Sequence, residues 1–445
     1  MAEGQESPLL RTTPPGPESR TWLTRLSRCA APMGPAPVDD PAKIVKTNAP
    51  SHTIVFQRAL GSNVTDVDGN RYVDLAAGFG SLLLGHAHSA VKTALEVQAD
   101  RLWQAQGDVY PSDAKVGLLE RLSGLFPEPG AQVILGQSGA DAVTAALKTA
   151  VLATGRPGVL AFGGAYHGLS YAPLSACGLR AGYRDPFLGQ LNPNVQFLTY
   201  PDHDQRARVT LADARHRLAK GDIGAVLVEP ILGRGGVIVP PSGFLLDLAE
   251  AAREAGALFV ADEIWTGLGR SGQWLYSVSE GAMPDLVCLG KGLGGGLPIS
   301  ACIGRGEVMR AWRRTPEVVH TSTFAGAPLS CACALVTLSQ LSSAKLIDRA
   351  RDVGTRWKQQ LSEVVTKVNG HFQVRGAGMM LAIELGGAAG AAVRLQQALL
   401  ERGYLVSTGG GQRDALVLTP PLNIDPALLD EFCGVLANVL KSSPA

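Results

Sequence analysis

The sequence is short of several features that would place it in a specialised class. Its 445 residues include seven cysteines, an odd number without any Cys-x-x-Cys spacing, so neither a disulfide framework nor a zinc site is expected. Lysine plus arginine (40) balance aspartate plus glutamate (39), and aromatic residues are only 6%, so the composition does not point to nucleic acid. No uninterrupted apolar run approaches the roughly 18 residues of a membrane span. These absences favour a globular, cytoplasmic protein with reduced thiols and without nucleic-acid or membrane partners.

Two histidines, His86 and His88, have a spacing that would suit a pair of metal ligands. No cysteine, aspartate or glutamate cluster stands close to them in the chain, and two ligands do not make a site. We therefore predict no metal.

What the chain does contain is an alternation of short apolar strands with segments of helical period. Six strands are predicted, over residues 132–135, 158–161, 195–198, 225–228, 258–261 and 286–289. This rhythm predicts an α/β fold in which helices cover both faces of a mostly parallel sheet. The predicted organisation is a flexible, Pro- and Gly-rich N-terminal arm (1–45), a segment that joins the small domain (46–95), a large domain (96–340) and a C-terminal small α+β domain (341–445).

A run of small residues follows the first predicted strand and opens a helix. Ser138, Gly139 and Ala140 would leave backbone N–H groups free at the start of that helix, where they can bind an anion. An ordinary helix N-cap has the same appearance, so this motif alone decides nothing.

Two charged residues follow later predicted strands. Asp262 comes at the end of an apolar strand, where a buried carboxylate needs a cationic partner, although a structural ion pair would meet that need equally well. Lys291 lies between glycines that leave room for a ligand, and a desolvated amine is a nucleophile toward carbonyl groups. A lone lysine is otherwise an exposed loop charge.

These three features belong together, because the carboxyl ends of parallel strands form one edge of a sheet and ligands bind there. An anion site, a buried carboxylate and a nucleophilic amine are what pyridoxal phosphate requires for its phosphate, its pyridinium nitrogen and its aldehyde.

With these motifs in place, the sequence resembles the class III aminotransferases, a branch of the fold-type I pyridoxal-phosphate enzymes, from about residue 45 to the C-terminus. The resemblance implies a large domain built on a mostly parallel sheet, a small α+β domain and pyridoxal 5'-phosphate as cofactor. It implies that an amino group moves between an amine or amino acid and a 2-oxo acid through an aldimine with Lys291. It also implies a homodimer whose active sites are shared between the two chains, with a tetramer left open.

The resemblance also assigns residue roles. Lys291 and Asp262 align with the catalytic lysine and the partner of the pyridinium nitrogen, and Thr323 aligns with the threonine that reaches the phosphate of the neighbouring subunit. The other implied cofactor contacts are Ser138, Gly139 and Ala140 at the phosphate, Tyr166 and His167 in an aromatic-His-Gly turn, Glu229 in a loop beside the substrate, and Ile264 under the ring.

The sequence departs from the family where many members bind the carboxylate of an amino acid. Arg234 stands where those members have a glutamate, and Val417 stands where they have its arginine partner. Trp265 replaces a glutamine that contacts the cofactor's ring hydroxyl. Our hypothesis is that Arg234 binds a substrate carboxylate directly, since a guanidinium suits that group. The alternatives are that Arg234 is a loop residue paired with an acid, or that Phe79, Trp265 and Val417 line a pocket for apolar amines.

Two other functions stay open at this point. An amino-acid racemase, epimerase or aminomutase would begin from the same site and would differ in where a proton returns. A non-catalytic scaffold that keeps the fold is the third alternative, and the joint presence of Lys291, Asp262, Tyr166 and Thr323 argues against it.

Overall fold

The computed structural model describes residues 3–31, 53–386 and 389–442. The strands are β1 (Phe56–Leu60), β2 (Asn63–Asp66), β3 (Arg71–Asp74), β4 (Gln132–Gly136), β5 (Gly158–Phe162), β6 (Val195–Leu198), β7 (Ile223–Val228), β8 (Leu258–Asp262), β9 (Leu286–Leu289), β10 (Ser300–Gly304), β11 (Gln373–Ala377), β12 (Met380–Glu384), β13 (Tyr404–Leu405), β14 (Ser407–Gly409) and β15 (Ala415–Leu418).

The α-helices alternate with these strands along the chain. They are α1 (Pro17–Cys29), α2 (Ala77–Gly80), α3 (Ser89–Ala99), α4 (Asp113–Ser123), α5 (Gly139–Thr154), α6 (Tyr171–Ser175), α7 (Ala181–Arg184), α8 (Asp204–Leu218), α9 (Phe244–Glu254), α10 (Tyr276–Ser279), α11 (Gly306–Met309), α12 (Pro328–Ser343), α13 (Leu346–Val368), α14 (Ala391–Leu400) and α15 (Pro426–Ser442).

A seven-stranded sheet forms the centre of the large domain, in the order β4-β10-β9-β8-β7-β5-β6. Strands β9, β8, β7, β5 and β6 are mutually parallel, and β10 runs antiparallel to both of its neighbours, β4 and β9. Six of the seven strands therefore end at the same edge. The predicted α/β fold of fold-type I is confirmed.

Both faces of this sheet are covered, as a largely parallel sheet requires. Along β7, Val226 and Val228 pack with leucines of α8 and α9 on one face, while Ala225 and Leu227 pack with the alanine-rich side of α5 on the other. Every residue of β7 is buried. Because β7 is covered on both faces, the polar side chain of Glu229, which follows β7, lies at the carboxyl end of the strand.

Two smaller sheets complete the fold. One has the order β1-β2-β3-β13, and its β3–β13 pairing joins an N-terminal hairpin to a C-terminal strand. The other is antiparallel, in the order β11-β12-β15-β14, and packs with α13 and α15 in the largest apolar cluster. The boundaries predicted for the domains stay a prediction.

The N-terminal arm differs from the flexible segment expected over residues 1–45. Residues 4–12 run beside the hairpin, where Leu9 pairs with Arg71 and the Asn70 side chain accepts from two backbone N–H groups of the arm. The Asp68 carboxylate accepts the N–H groups of Glu18 and Ser19 at the start of α1. These side chains satisfy the backbone of an otherwise irregular segment and hold it in place. Residues 32–45 lie outside the described part of the chain.

Among the described helices, none alone has both the length and the apolar composition of a membrane span. Helices α12 and α13 meet that criterion only as a pair, with a bend of 62° between them.

Candidate active site

The predicted site residues lie at the carboxyl edge of the central sheet. Glu229 follows β7, Asp262 ends β8 and Lys291 comes two residues after β9, and these three strands are neighbours. Tyr166 and His167 follow β5, on the far side of β7. The topology therefore brings together groups that are up to 125 positions apart, from Tyr166 to Lys291.

Asp262 has a buried imidazole as its partner. Its Oδ2 lies 2.6 Å from His167 Nδ1, both side chains are almost fully buried, and its Oδ1 accepts the Ile264 N–H at 3.1 Å. Burial by itself lowers the pKa of His167, but the hydrogen bond and charge of Asp262 outweigh it and raise that pKa above its ordinary value. The imidazole of His167 thus fixes the orientation of the Asp262 side chain at the end of β8.

Lys291 presents an amine in an unusual backbone and electrostatic setting. Its φ of +38° lies in the left-handed region, which is costly for a residue with a side chain and is typical of functional sites. Burial lowers the pKa of Lys291 to about 8, against the opposing charges of Asp262 and Glu229. Within the described residues, no carboxylate lies within salt-bridge distance of its Nζ. A larger fraction of this amine is therefore neutral at a given pH than of an ordinary lysine.

Trp265 lies directly beside this amine. Lys291 Nζ is 4.3 Å from the centroid of the indole ring, a cation–π distance. The ring is buried and fits because two neighbours are glycines: a Cβ on Gly80 would lie 2.3 Å from Trp265 Nε1, and one on Gly233 would lie 2.4 Å from Cε3. The indole N–H has no hydrogen-bond partner in the part of the chain that the structure describes.

The start of α5 has free N–H groups. The Ser138 N–H donates to Asp141 Oδ2 at 3.0 Å and the Asp141 N–H donates to Ser138 Oγ at 3.3 Å, which makes a capping box. No described acceptor is bonded to the N–H groups of Gly139 and Ala140. A Cβ on Gly139 would lie 2.7 Å from Ile264 Cδ1, so Ile264 packs against this turn.

A third group of residues surrounds Glu229. Its Oε1 accepts the Tyr166 N–H at 2.7 Å, and its Oε2 accepts the Gly233 N–H at 3.0 Å. Burial raises the pKa of Glu229 to about 7. The Arg234 guanidinium lies 4.3 Å from the centroid of the Tyr166 ring, and no described aspartate or glutamate forms an ion pair with it. Free N–H groups, a buried carboxylate and a partly neutral amine at one sheet edge fit pyridoxal phosphate.

Comparison with known proteins identifies the family. The model of the family "Aminotransferase class-III" matches residues 44–440. The chain belongs to the class III aminotransferases. It is similar to 4-aminobutyrate aminotransferase of Mycobacterium tuberculosis (33% identical, covering 99% of this chain and 100% of the relative) and to acetylornithine aminotransferase of Methanosarcina mazei (32% identical, covering 90% and 95%).

Solved structures agree with this assignment. The fold of this aminotransferase is similar to that of a PLP-bound amine transaminase from an uncultivated Pseudomonas species (28% identical, TM-score 0.81, covering 93% of this chain and 98% of that one). It is equally similar to ornithine aminotransferase of Toxoplasma gondii (28% identical, TM-score 0.82, covering 95% and 94%). The protein is a PLP-dependent aminotransferase.

Three further candidate residues of this aminotransferase are Phe79, Thr323 and Val417. Phe79 is 74% exposed, and Thr323 is exposed with its carbonyl accepting from Gln104 Nε2 at 2.7 Å. Val417 in β15 is buried and packs in the same apolar cluster as Trp265. The β15 strand pairs with β12, and the role of Val417 as a pocket wall stays a prediction.

Sequence reasoning missed the residues that make room in the site. The size of Trp265 requires glycines at positions 80 and 233. The hydrogen bonds that Glu229 accepts from two backbone N–H groups depend on how the loops after β5 and β7 fold. The signal that was available is the placement of Glu229 directly after a wholly buried strand, where a carboxylate must find hydrogen-bond donors.

Proposed function

We propose that this aminotransferase takes its amino group from a donor that carries a carboxylate, and that Arg234 binds this carboxylate. The observation that carries the proposal is a guanidinium held against Tyr166 without an acidic partner among the described residues. Its positive charge also lowers the pKa of Lys291, so it acts at the reacting amine. The curated relatives are named for acetylornithine and 4-aminobutyrate, which both contain a carboxylate.

The chain's residues divide the work of holding the cofactor. When bound, pyridoxal phosphate would supply an aldehyde that reacts with amines and a ring that accepts electrons. The N–H groups of Gly139 and Ala140, with the hydroxyl of Ser138, would hold its phosphate at the positive end of α5. Asp262, oriented by His167, would be the acidic partner of its ring nitrogen. Tyr166 and Ile264 would hold its ring.

Lys291 would provide the amine that joins the cofactor's aldehyde, and its Nζ would also move a proton during amino transfer. The neutral amine can accept a proton and the ammonium can return one. A pKa of about 8 allows both forms near neutral pH. The indole ring of Trp265 lies 4.3 Å from Lys291 Nζ and limits the space beside this amine for bulky donors.

The second candidate donor is a plain alkyl amine. The apolar face of Trp265 would suit such a donor, and one of the similar solved structures is that of an amine transaminase. The two are separated by a pair of donors of equal length, 4-aminobutyrate and butylamine. We expect Arg234→Ala to raise KM for 4-aminobutyrate by roughly 10- to 100-fold, since a charge-assisted pair contributes about 1.5–3 kcal/mol.

The control for this experiment is the second donor. KM for butylamine should change by less than about threefold in Arg234→Ala, because no carboxylate is lost. Arg234→Lys keeps a cation and should recover part of the affinity for 4-aminobutyrate. An unchanged KM for 4-aminobutyrate in Arg234→Ala would reject Arg234 as the carboxylate site and favour the amine candidate.

We also propose a homodimer in which Thr323 of one chain contacts the phosphate held by the other. Large apolar side chains are exposed on the single chain at Phe79, Trp103, Tyr110 and Phe324, and Phe324 directly follows Thr323 in the sequence. Apolar patches of this kind are typical of interfaces.

A cytoplasmic location is supported by the free thiols of Cys177, Cys288 and Cys302.

A further inference from the structure

Glu229 connects two loops through its carboxylate. Its two oxygens accept N–H groups from Tyr166, in the loop after β5, and from Gly233, in the loop after β7. The side chain is 5% exposed, so water does not compete for either bond. The distances, 2.7 and 3.0 Å, are those of well-formed hydrogen bonds to a charged acceptor.

The residues next to these two N–H groups meet each other. Arg234 follows Gly233, and its guanidinium stacks on the ring of Tyr166 at 4.3 Å. The carbonyl of Arg234 accepts the Gly410 N–H at 2.9 Å, which fixes the far side of the same loop. Glu229, Tyr166, Gly233 and Arg234 thus form a closed ring of contacts, in which the carboxylate sets the separation of the two loops.

We propose that Glu229 is a positioning residue that holds Arg234 in place to bind the donor's carboxylate. This inference rests on the proposed role of Arg234. Glu229 reaches neither the donor nor Arg234 directly, and it acts through two backbone N–H groups. An amide at the same position would offer one acceptor and turn an NH₂ group toward the other N–H, so one of the two loops would lose its bond.

The backbone at Glu229 is held independently of its side chain. Tyr200 Oη donates to the carbonyls of Glu229 and Pro230 at 3.0 and 3.1 Å, and β7 is wholly buried. A change at the carboxylate therefore leaves the end of the strand in place, and Glu229→Gln is expected to fold and bind the cofactor.

The charge on Glu229 adds a pH dependence. Its pKa of about 7 is raised by burial, so the carboxylate is charged above pH 7 and protonated below it. When Glu229 is protonated, one of its carboxyl oxygens carries a hydrogen and is a poorer acceptor for the N–H of Tyr166 or Gly233. The ionisable groups that act on Glu229 or respond to it are His167, Asp262, Lys291, Cys177 and Tyr200. Affinity for the carboxylate donor should fall as pH drops through 7.

The test measures both donors with the holoenzyme of Glu229→Gln. We expect KM for 4-aminobutyrate to rise by roughly 5- to 20-fold while KM for butylamine changes by less than about threefold. Because the charge of Glu229 also acts on Lys291, kcat should change by the same factor for both donors. The ratio of the two KM values should rise from pH 8 to pH 6 in the unaltered enzyme and stay flat in the variant. Equilibrium titration with butanoate, which has no amino group, should show the same loss of affinity without turnover.

Two further variants separate the possible failures. Glu263→Gln alters another buried glutamate, whose bonds go to Ser277 and Thr266, and it should leave the KM ratio unchanged. In an Arg234→Ala background, Glu229→Gln should add less than about twofold. If Arg234→Ala itself has no effect on 4-aminobutyrate, the proposed function fails. If it has its effect and Glu229→Gln raises KM for both donors equally or for neither, the positioning role of Glu229 is rejected.

Discussion

At the scale of single residues, the site is built from groups whose ordinary chemistry is altered by burial. Lys291 becomes less basic because it leaves water, even though Asp262 and Glu229 attract a proton to it. His167 changes in the opposite direction, because its bond to Asp262 outweighs burial. Burial therefore decides the direction of the pKa shift at Lys291, and the hydrogen bond and charge of Asp262 decide it at His167.

The Lys291 amine leads to a pH prediction. Only the neutral amine attacks an aldehyde, so the rate at which cofactor-free protein recaptures pyridoxal phosphate should rise through a pKa of about 8 and level off above it. Stopped-flow measurement of the visible absorbance between pH 6.5 and 9.5 would follow this rate. Lys291→Ala should never develop the absorbance. A capture rate that rises only above pH 10 would contradict the lowered pKa.

At the scale of secondary-structure elements, the strands were predictable and their long-range partners were not. The six predicted strands are present within two residues of their expected ends, since each is a short, largely apolar run. Strand β10 was missed because its residues are mostly small and its antiparallel pairing with β4 and β9 depends on distant parts of the chain. Strands β13 and β14 have only two and three residues, too few for a period.

The same division applies to the site. Lys291 and Asp262 were predictable because each follows an apolar strand and β8 and β9 are neighbours. The stacking of Arg234 on Tyr166 and the fit of Trp265 between Gly80 and Gly233 depend on loops from different strands, for which a single sequence has no local signal. The N-terminal arm was predicted to be flexible because it is rich in proline and glycine. In the structure, the side chains of Asn70 and Asp68 in the hairpin accept hydrogen bonds from its backbone.

Two glycines in different elements provide a matched prediction. A Cβ on Gly233 would lie 2.4 Å from Trp265 and 3.1 Å from Glu229 Oε2, whereas a Cβ on Gly434 in α15 would meet nothing. Gly233→Ala should lower kcat/KM for both donors by roughly tenfold or more, because Trp265 or the loop must shift. Gly434→Ala should leave activity unchanged and raise the unfolding free energy by about 0.5–1 kcal/mol.

Thermal unfolding and steady-state rates, measured on both variants, check this pair. If Gly233→Ala retained full activity, the close packing of Trp265 against the loop after β7 would be refuted.

At the scale of the whole molecule, the proposed dimer makes a prediction that a single chain cannot imitate. If Thr323 serves the neighbouring site, a Lys291→Ala chain and a Thr323→Ala chain can share one intact site, with lysine from one and threonine from the other. Each mixed dimer should have about half the activity of an unaltered dimer. Random exchange makes about half of the dimers mixed, so the mixture should recover up to about a quarter of the activity of an equal amount of unaltered enzyme. Light scattering should give twice the mass of the chain.

The control is each variant refolded or exchanged alone, which should remain at its own low activity. Recovery no greater than the sum of the two would contradict a shared site and would leave Thr323 serving its own chain.

The measurement that tests the central claim most directly is the visible absorbance of the holoenzyme during addition of a single amino donor. The account predicts a yellow protein whose absorbance is lost on adding 4-aminobutyrate, at a concentration at least tenfold lower than butylamine requires, and is restored by a 2-oxo acid. In Arg234→Ala the two donors should become alike. A protein that loses its colour with butylamine at equal or lower concentrations would contradict the proposed binding of a donor carboxylate by Arg234.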